Sequence, residues 1–329
     1  MMTLSDIALV WIAIVLEALP FVLLGSALAA VVETLVPPRW LERALASSGK
    51  AGIALASVLG LVVPVCDCAV FPVVRKLLAK GWAPSHATAF LCASASLSPA
   101  VLAATWWAFP QDPRIAFARA ATGILAGWVA GGLVGKFWGR RSPLRKTAKV
   151  MDLAKVKEVP ETLLDLAEGR SQQPSACCGH EHGHTHIGAR KGWMGRGLDF
   201  FHSMADEFSE NMVYILAGSL VAAAVQVLVP SEALIALAGH PFLAVPAMMA
   251  WGFVLCLCAH ADAFVASSFV GILPPGALLA FMAFGGILDA KNFLLWWSSF
   301  RPRFVLMVLA AVVAVVMVAG LAYPLVAAR

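Results

Sequence analysis

The chain has 329 residues, 60% of them hydrophobic and 13% charged, with a mean hydropathy of +0.83. That composition lies far outside the range of soluble domains and excludes them as a class. The net charge of +5 is concentrated in residues 139–205, which hold eleven Lys or Arg against seven Asp or Glu; the segment carries no nucleic-acid-binding motif and charge bias across a membrane accounts for it, so nucleic acid is not an expected partner.

Apolar runs long enough to span ~30 Å of hydrocarbon, at about 20 residues each, lie near 7–32, 85–109, 114–138, 206–229, 276–299 and 304–327. The first has no Lys or Arg ahead of it and exceeds a signal-peptide core, so it is expected to be retained. Two interrupted stretches, 51–79 and 241–273, stand between these runs. In the first, Pro64 and Pro72 flank Cys66-Asp67-Cys68. Both prolines lack an N–H, so breaks are expected that leave carbonyls facing protein or a wet cavity. The second carries Cys256-Leu257-Cys258-Ala259-His260-Ala261-Asp262. Cys92, alone in an apolar run, reads as a small core residue.

The two halves align at an offset of roughly 190 positions. Glu17 falls on Glu210, Gly25-Ser26 on Gly218-Ser219, Val36-Pro37 on Val229-Pro230 and Gly60 on Gly252. Further on, Cys66 falls on Cys258, Cys68 on His260, Ser98 on Asp289 and Trp106-Trp107 on Trp296-Trp297. The expected fold is an all-α polytopic membrane protein of two structural repeats, 1–138 and 206–329. A cytoplasmic basic loop, 139–205, joins them. Each repeat has three full spans and one broken segment with a Cys motif. Arg39, Arg43 and Lys50 precede the first broken segment and Arg75, Lys76 and Lys80 end it, while the flanks of the second have no Lys or Arg. Charge bias therefore favours re-entrant hairpins and inverted repeats over eight crossings.

Cysteine pairs in apolar sequence do not read as a disulfide framework. Thiols, an imidazole and carboxylates at helix breaks suit Cu(I), Zn(II) or a trivalent metalloid better than Mg or Ca. Cys66, Asp67, Cys68, Cys258, His260, Asp262 and Asp289 are the expected substrate-binding residues. Glu17 and Glu210 are candidate proton relays, and Arg114 and Lys291 are candidate partners of the buried acids. In the loop, Cys177, Cys178, His180, His182, His184 and His186 form a flexible Cys/His-rich run without closed zinc-finger spacing, which suits labile Zn or Cu. No permanent cofactor is expected, and there is no P-loop pattern.

Pro64-Val65-Cys66-Asp67-Cys68-Ala69-Val70-Phe71-Pro72 resembles the P-x-C-x-C-x-x-x-P element of the predicted-permease family that includes ArsP-type organoarsenical exporters. Cys258 to Phe269 resembles its second element, and Gly285-Gly286-Ile287-Leu288-Asp289-Ala290-Lys291 its later one. The Cys/His-rich loop is similar to loops of a branch regarded as copper or zinc exporters. Ser98-Pro99 stands where arsenical permeases carry Asn-Pro, and Asp67 where they carry a small residue. The resemblance implies efflux, with Cys66 and Cys68 as thiophilic contacts. The expected protein is therefore not an enzyme but a bacterial-type inner-membrane permease exporting soft metal ions or thiophilic metalloids. The alternatives are an ArsP-like exporter of trivalent organoarsenicals and a membrane thiol-redox or metal-insertion protein.

Overall fold

The computed structural model describes residues 4–35, 50–62, 67–139, 141–145, 193–228 and 243–327. Helices α1 (Leu4–Leu35), α2 (Lys50–Val62), α3 (Asp67–Ala79), α4 (Pro84–Leu97), α5 (Pro99–Ala108) and α6 (Arg114–Phe137) occupy the first half. In the second half come α7 (Trp193–Leu228), α8 (Ala244–Leu255), α9 (Ala261–Ser267), α10 (Pro275–Ile287), α11 (Ala290–Ser299) and α12 (Pro302–Ala327). Ser5–Val31, Pro84–Ala108, Arg114–Phe137, Pro275–Ser299 and Pro302–Leu325 are long and apolar enough to cross a bilayer. α7 carries the apolar run expected from 206 and begins earlier, at Trp193. Leu9, Leu16, Trp107, Phe117, Phe137, Val318 and Leu325 are exposed along these helices, a surface suited to lipid rather than water. The protein is an all-α polytopic membrane protein, as its composition implies.

Close contacts at glycines set the helix directions. A Cβ on Gly60 of α2 would stand 2.8 Å from the Ser94 Cα of α4, and one on Gly131 of α6 would meet both Ser85 and Ile53. So α2 runs parallel to α4, low numbers beside low. A tight turn at Lys80–Ala83 feeds α3 into α4, so α2 and α3 enter and return on the same side as a hairpin. The second half does likewise. Gly252 of α8 lies against Phe281 and Gly285 of α10, while Gly320 of α12 meets Val245 and Gly276. α8 and α9 thus form a hairpin whose tip is Cys256–His260.

The two hairpins enter from opposite ends of the bundle. Ser85, at the start of α4, lies beside Gly131 and Gly135 near the end of α6. That end continues to residues 143–145, where Arg145 N donates to the Ser299 carbonyl (2.8 Å) and Arg301 N to the Pro143 carbonyl (3.0 Å). At the other end, Phe109, Asp112 and Ile115 share a cavity with Leu273, Pro275 and Leu278. There Tyr323 Oη, near the end of α12, donates to Asp112 at 2.8 Å. Arg75, Lys76, Lys80, Lys136, Arg141, Arg145, Arg301 and Arg303 all belong to the first end.

Two details correct the expectations. The stretches 85–109 and 276–299 are long enough to cross, but each is two successive helices rather than one continuous helix. Ser98 has φ −51° and ψ 131°, and Pro99 opens α5; the residue before a proline is pushed from helical to extended backbone. In the second half Leu288 and Asp289 are extended (ψ 105° and 173°), and the Asp289 side chain caps α11 by accepting from Asn292 N. Pro72, in contrast, breaks nothing: it lies inside α3. The helix begins only at Asp67, so the missing N–H costs one bond, the one that the Cys68 carbonyl would have accepted.

Replacing Gly252 by Val forces a side chain against the α10 backbone and should lower stability by about 1–3 kcal/mol. Gly132→Val, at a position with nothing within 4 Å, should leave the melting temperature of the detergent-purified protein unchanged. In a cysteine-free background, single cysteines at Ala51 and Ala79 should react with an impermeant maleimide from the same side of the membrane, and one at Ile272 from the opposite side.

Candidate functional site

The tip of the second hairpin is a helix end buried in an apolar interior. α8 stops at Leu255, and Cys256 turns into the left-handed region (φ 51°, ψ 33°), the one non-glycine residue with positive φ among the described residues. Such a conformation costs on the order of 1–2 kcal/mol and persists only when its surroundings fix it. Here they do. Gln226 Nε2 of α7 donates to the Leu255 carbonyl at 2.6 Å, and Lys291 Nζ of α11 donates to the Cys256 carbonyl at 3.0 Å. A cation at this position also complements the negative end of the α8 dipole.

Lys291 is paired with Asp289, and both are buried, at 4% and 0% exposure. The other Asp289 oxygen accepts from Asn292 N at 2.7 Å. One short charged sequence therefore ties the end of α8 to the start of α11.

A second ion pair sits one layer away. Arg119 of α6, fully buried, donates to both oxygens of Asp262 in the first turn of α9, Nη1 at 2.9 Å and Nη2 at 2.8 Å. The same guanidinium donates to Thr105 Oγ1 of α5 (3.0 Å) and to the Met282 carbonyl of α10 (3.2 Å). One side chain thus holds four helices from both halves, in the bidentate geometry that suits arginine to carboxylates.

The remaining tip residues meet α1. The Phe21 and His260 rings stack with centroids 5.9 Å apart and planes 9° from parallel. One helical turn earlier on α1, Glu17 lies within interaction range of Cys258 and His260. His260 Nδ1 is buried without a hydrogen-bond partner among the described residues. Glu17, Cys258 and His260 are thereby gathered at one place, although no set of three His, Cys, Asp or Glu positioned to hold a metal ion occurs among the described residues.

Cys66 and the loop residues Cys177, Cys178, His180, His182, His184 and His186 lie outside the described residues. Asp67 and Cys68 open α3, and their side chains are likewise outside. Glu210 lies on α7. It accepts from Arg75 Nη2 at 2.7 Å, while Lys76 Nζ lies 3.3 Å from Glu207, so α3 is pinned to α7 at the basic end. At the opposite end is the cavity of about 450 Å³ shared by Asp112, Ile115 and Leu278. Ile115 and Leu278 each stand one turn before a residue of the arginine layer, Arg119 and Met282.

Sequence reasoning named Arg114 as a partner for a buried acid, and the structure gives Asp262 to Arg119 instead. The signal was present, because a charge in the interior of an apolar 24-residue helix has to find a partner. Gln226 was also missed. A lone amide near the end of an apolar helix carries no pattern, and only the α8 carbonyls beside it reveal its use.

Long apolar helices, two hairpins entering from opposite ends and buried charges at broken helix ends are the architecture of a polytopic membrane transporter. The chain belongs to the predicted permease family ArsP_1, whose model matches residues 3–325. It is similar to UPF0718 protein YcgR of Bacillus subtilis, 28% identical over 313 residues covering 95% of each chain. A Streptococcus mutans protein provisionally named as a subunit of a two-component membrane permease complex is 28% identical over 300 residues, covering 90% of this chain and 88% of its own. No solved structure matches.

Asp262→Ala strands a buried guanidinium and should cost about 3–5 kcal/mol, whereas Arg119→Met with Asp262→Leu should come close to the parent protein. Thermal unfolding of the purified single and double variants measures both.

Proposed function

We propose that this permease exports soft metal ions of the Cu or Zn kind, or thiophilic metalloids, across the bacterial inner membrane, through a site formed between the two hairpin tips. The observation that carries this reading is the gathering of Glu17, Cys258 and His260 at a broken helix end. Such irregular backbone is tolerated at membrane depth only around a path or a packed interior. Cys66, Asp67 and Cys68 supply the matching tip of the first half. Placing Gly60 and Gly252 on corresponding arms, and Ser98 and Asp289 at corresponding breaks, supports an inverted duplication. The basic end is then cytoplasmic by charge bias, and the 450 Å³ cavity faces outward.

Roles divide by what each group already holds. Cys66, Cys68, Cys258 and His260 contact the cargo, with Asp67 balancing its charge and Glu17 carrying a proton. Asp262 and Asp289 have partners on both oxygens and fix the tip from behind. Glu210 serves the Arg75 contact. The Cys/His-rich run, with Cys177, Cys178, His180, His182, His184 and His186, collects ions on the cytoplasmic side.

Uptake of Cu(I), Zn(II) and a trivalent organoarsenical into everted vesicles tests this reading. Cys258→Ser and the Cys66→Ser/Cys68→Ser pair should each lower accumulation of the true cargo at least tenfold, while deletion of 177–186 raises the concentration needed for half-maximal uptake. Equal accumulation of all three by parent and variants sinks the proposal. Loss of organoarsenical uptake alone assigns the cargo to that class.

A further inference from the structure

The Lys291 ammonium occupies a position with the makings of a small-cation site. It faces the Cys256 carbonyl at the end of α8, at 3.0 Å, and the carboxylate of the fully buried Asp289, and it is itself only 4% exposed. Carbonyls at the C-terminal end of a half-helix, joined by a carboxylate, are the groups with which membrane transporters bind Na⁺ at discontinuous helices. Gln226 takes the Leu255 carbonyl, so the oxygens turned toward Lys291 are those left after the other capping bonds are made. The corresponding break in the first half, Ser98-Pro99-Ala100, carries no charge, so whatever this cation does is confined to one hairpin.

We infer that Lys291 is a tethered cation filling a site that would otherwise take a small monovalent ion, so the second hairpin tip is held without a mobile alkali ion. Three requirements meet at this nitrogen. The α8 terminus needs positive charge, buried Asp289 needs a counter-charge, and the left-handed turn at Cys256 needs a donor on its carbonyl. A bound Na⁺ or K⁺ would meet all three, but its occupancy would depend on ion concentration. A lysine meets them in every ionic condition, and the permease therefore spends no alkali-ion gradient on assembling this tip.

The test is the thermal stability of the purified full-length protein in NaCl, KCl, methylammonium chloride and choline chloride at matched ionic strength, with no cargo present. It does not depend on what is transported, and a failed transport assay would leave it standing. The parent protein should unfold at one temperature in all four salts. Lys291→Ala should be less stable in choline, an ion too large to enter, and recover by about 5 °C or more in at least one of the small cations, as expected for an ion well above its dissociation constant. The double variant Lys291→Ala/Asp289→Asn, with the site's charge removed, should lose that recovery. Equal stability of Lys291→Ala in all four salts overturns the inference, as does failure to recover folded protein in any of them. It is also overturned if the parent shows the same cation dependence, or if the double variant keeps it.

Discussion

A helix that stops inside an apolar interior strands its last carbonyls, and each stranded group costs free energy unless something donates to it. The second half of this permease is arranged around that constraint. α8 ends under Gln226 and Lys291, α11 begins under Asp289, and α9 opens on an aspartate held by Arg119. Remove these donors and acceptors, and neither the left-handed turn at Cys256 nor the exposure of Cys258 and His260 toward α1 has anything to maintain it.

The fold class was legible from composition alone, and the hairpins from the distribution of Lys and Arg around the broken segments. Of the candidate site, Cys258, His260 and Glu17 stood out because thiol, imidazole and carboxylate are conspicuous in apolar sequence. The partner of Asp262 was not legible, because nothing in the sequence links a buried acid to an arginine on a helix about 140 positions away. The breaks at Ser98 and Leu288-Asp289 were hidden for another reason. Averaged over a window, both stretches still read as one span, and hydropathy does not register backbone direction.

Glycine governs how the hairpins are held. Gly60 and Gly252 bring backbone against backbone, at Ser94 in one half and at Phe281 and Gly285 in the other. Contacts this close favour van der Waals packing between helices that gain nothing from expelling water, and they leave little room for an arm to slide along its neighbour. Each hairpin is accordingly part of a block with its partner helix, α2–α3 with α4 and α8–α9 with α10. Arg119, bonded to α5, α9 and α10, crosses between those blocks.

The ion pairs of α3 with α7 and the cavity beside Asp112 lie at opposite ends of the bundle, and together they define a single conformation. The basic end is latched by Arg75 on Glu210 and Lys76 on Glu207, with Glu207 buried. The other end holds the cavity lined by Asp112, Ile115 and Leu278. The partly exposed Arg75–Glu210 contact is weakened by salt where the buried pairs are not. Ionic strength on the basic side therefore acts on the join between α3 and α7 before it reaches the buried charges of the second hairpin, independent of any cargo.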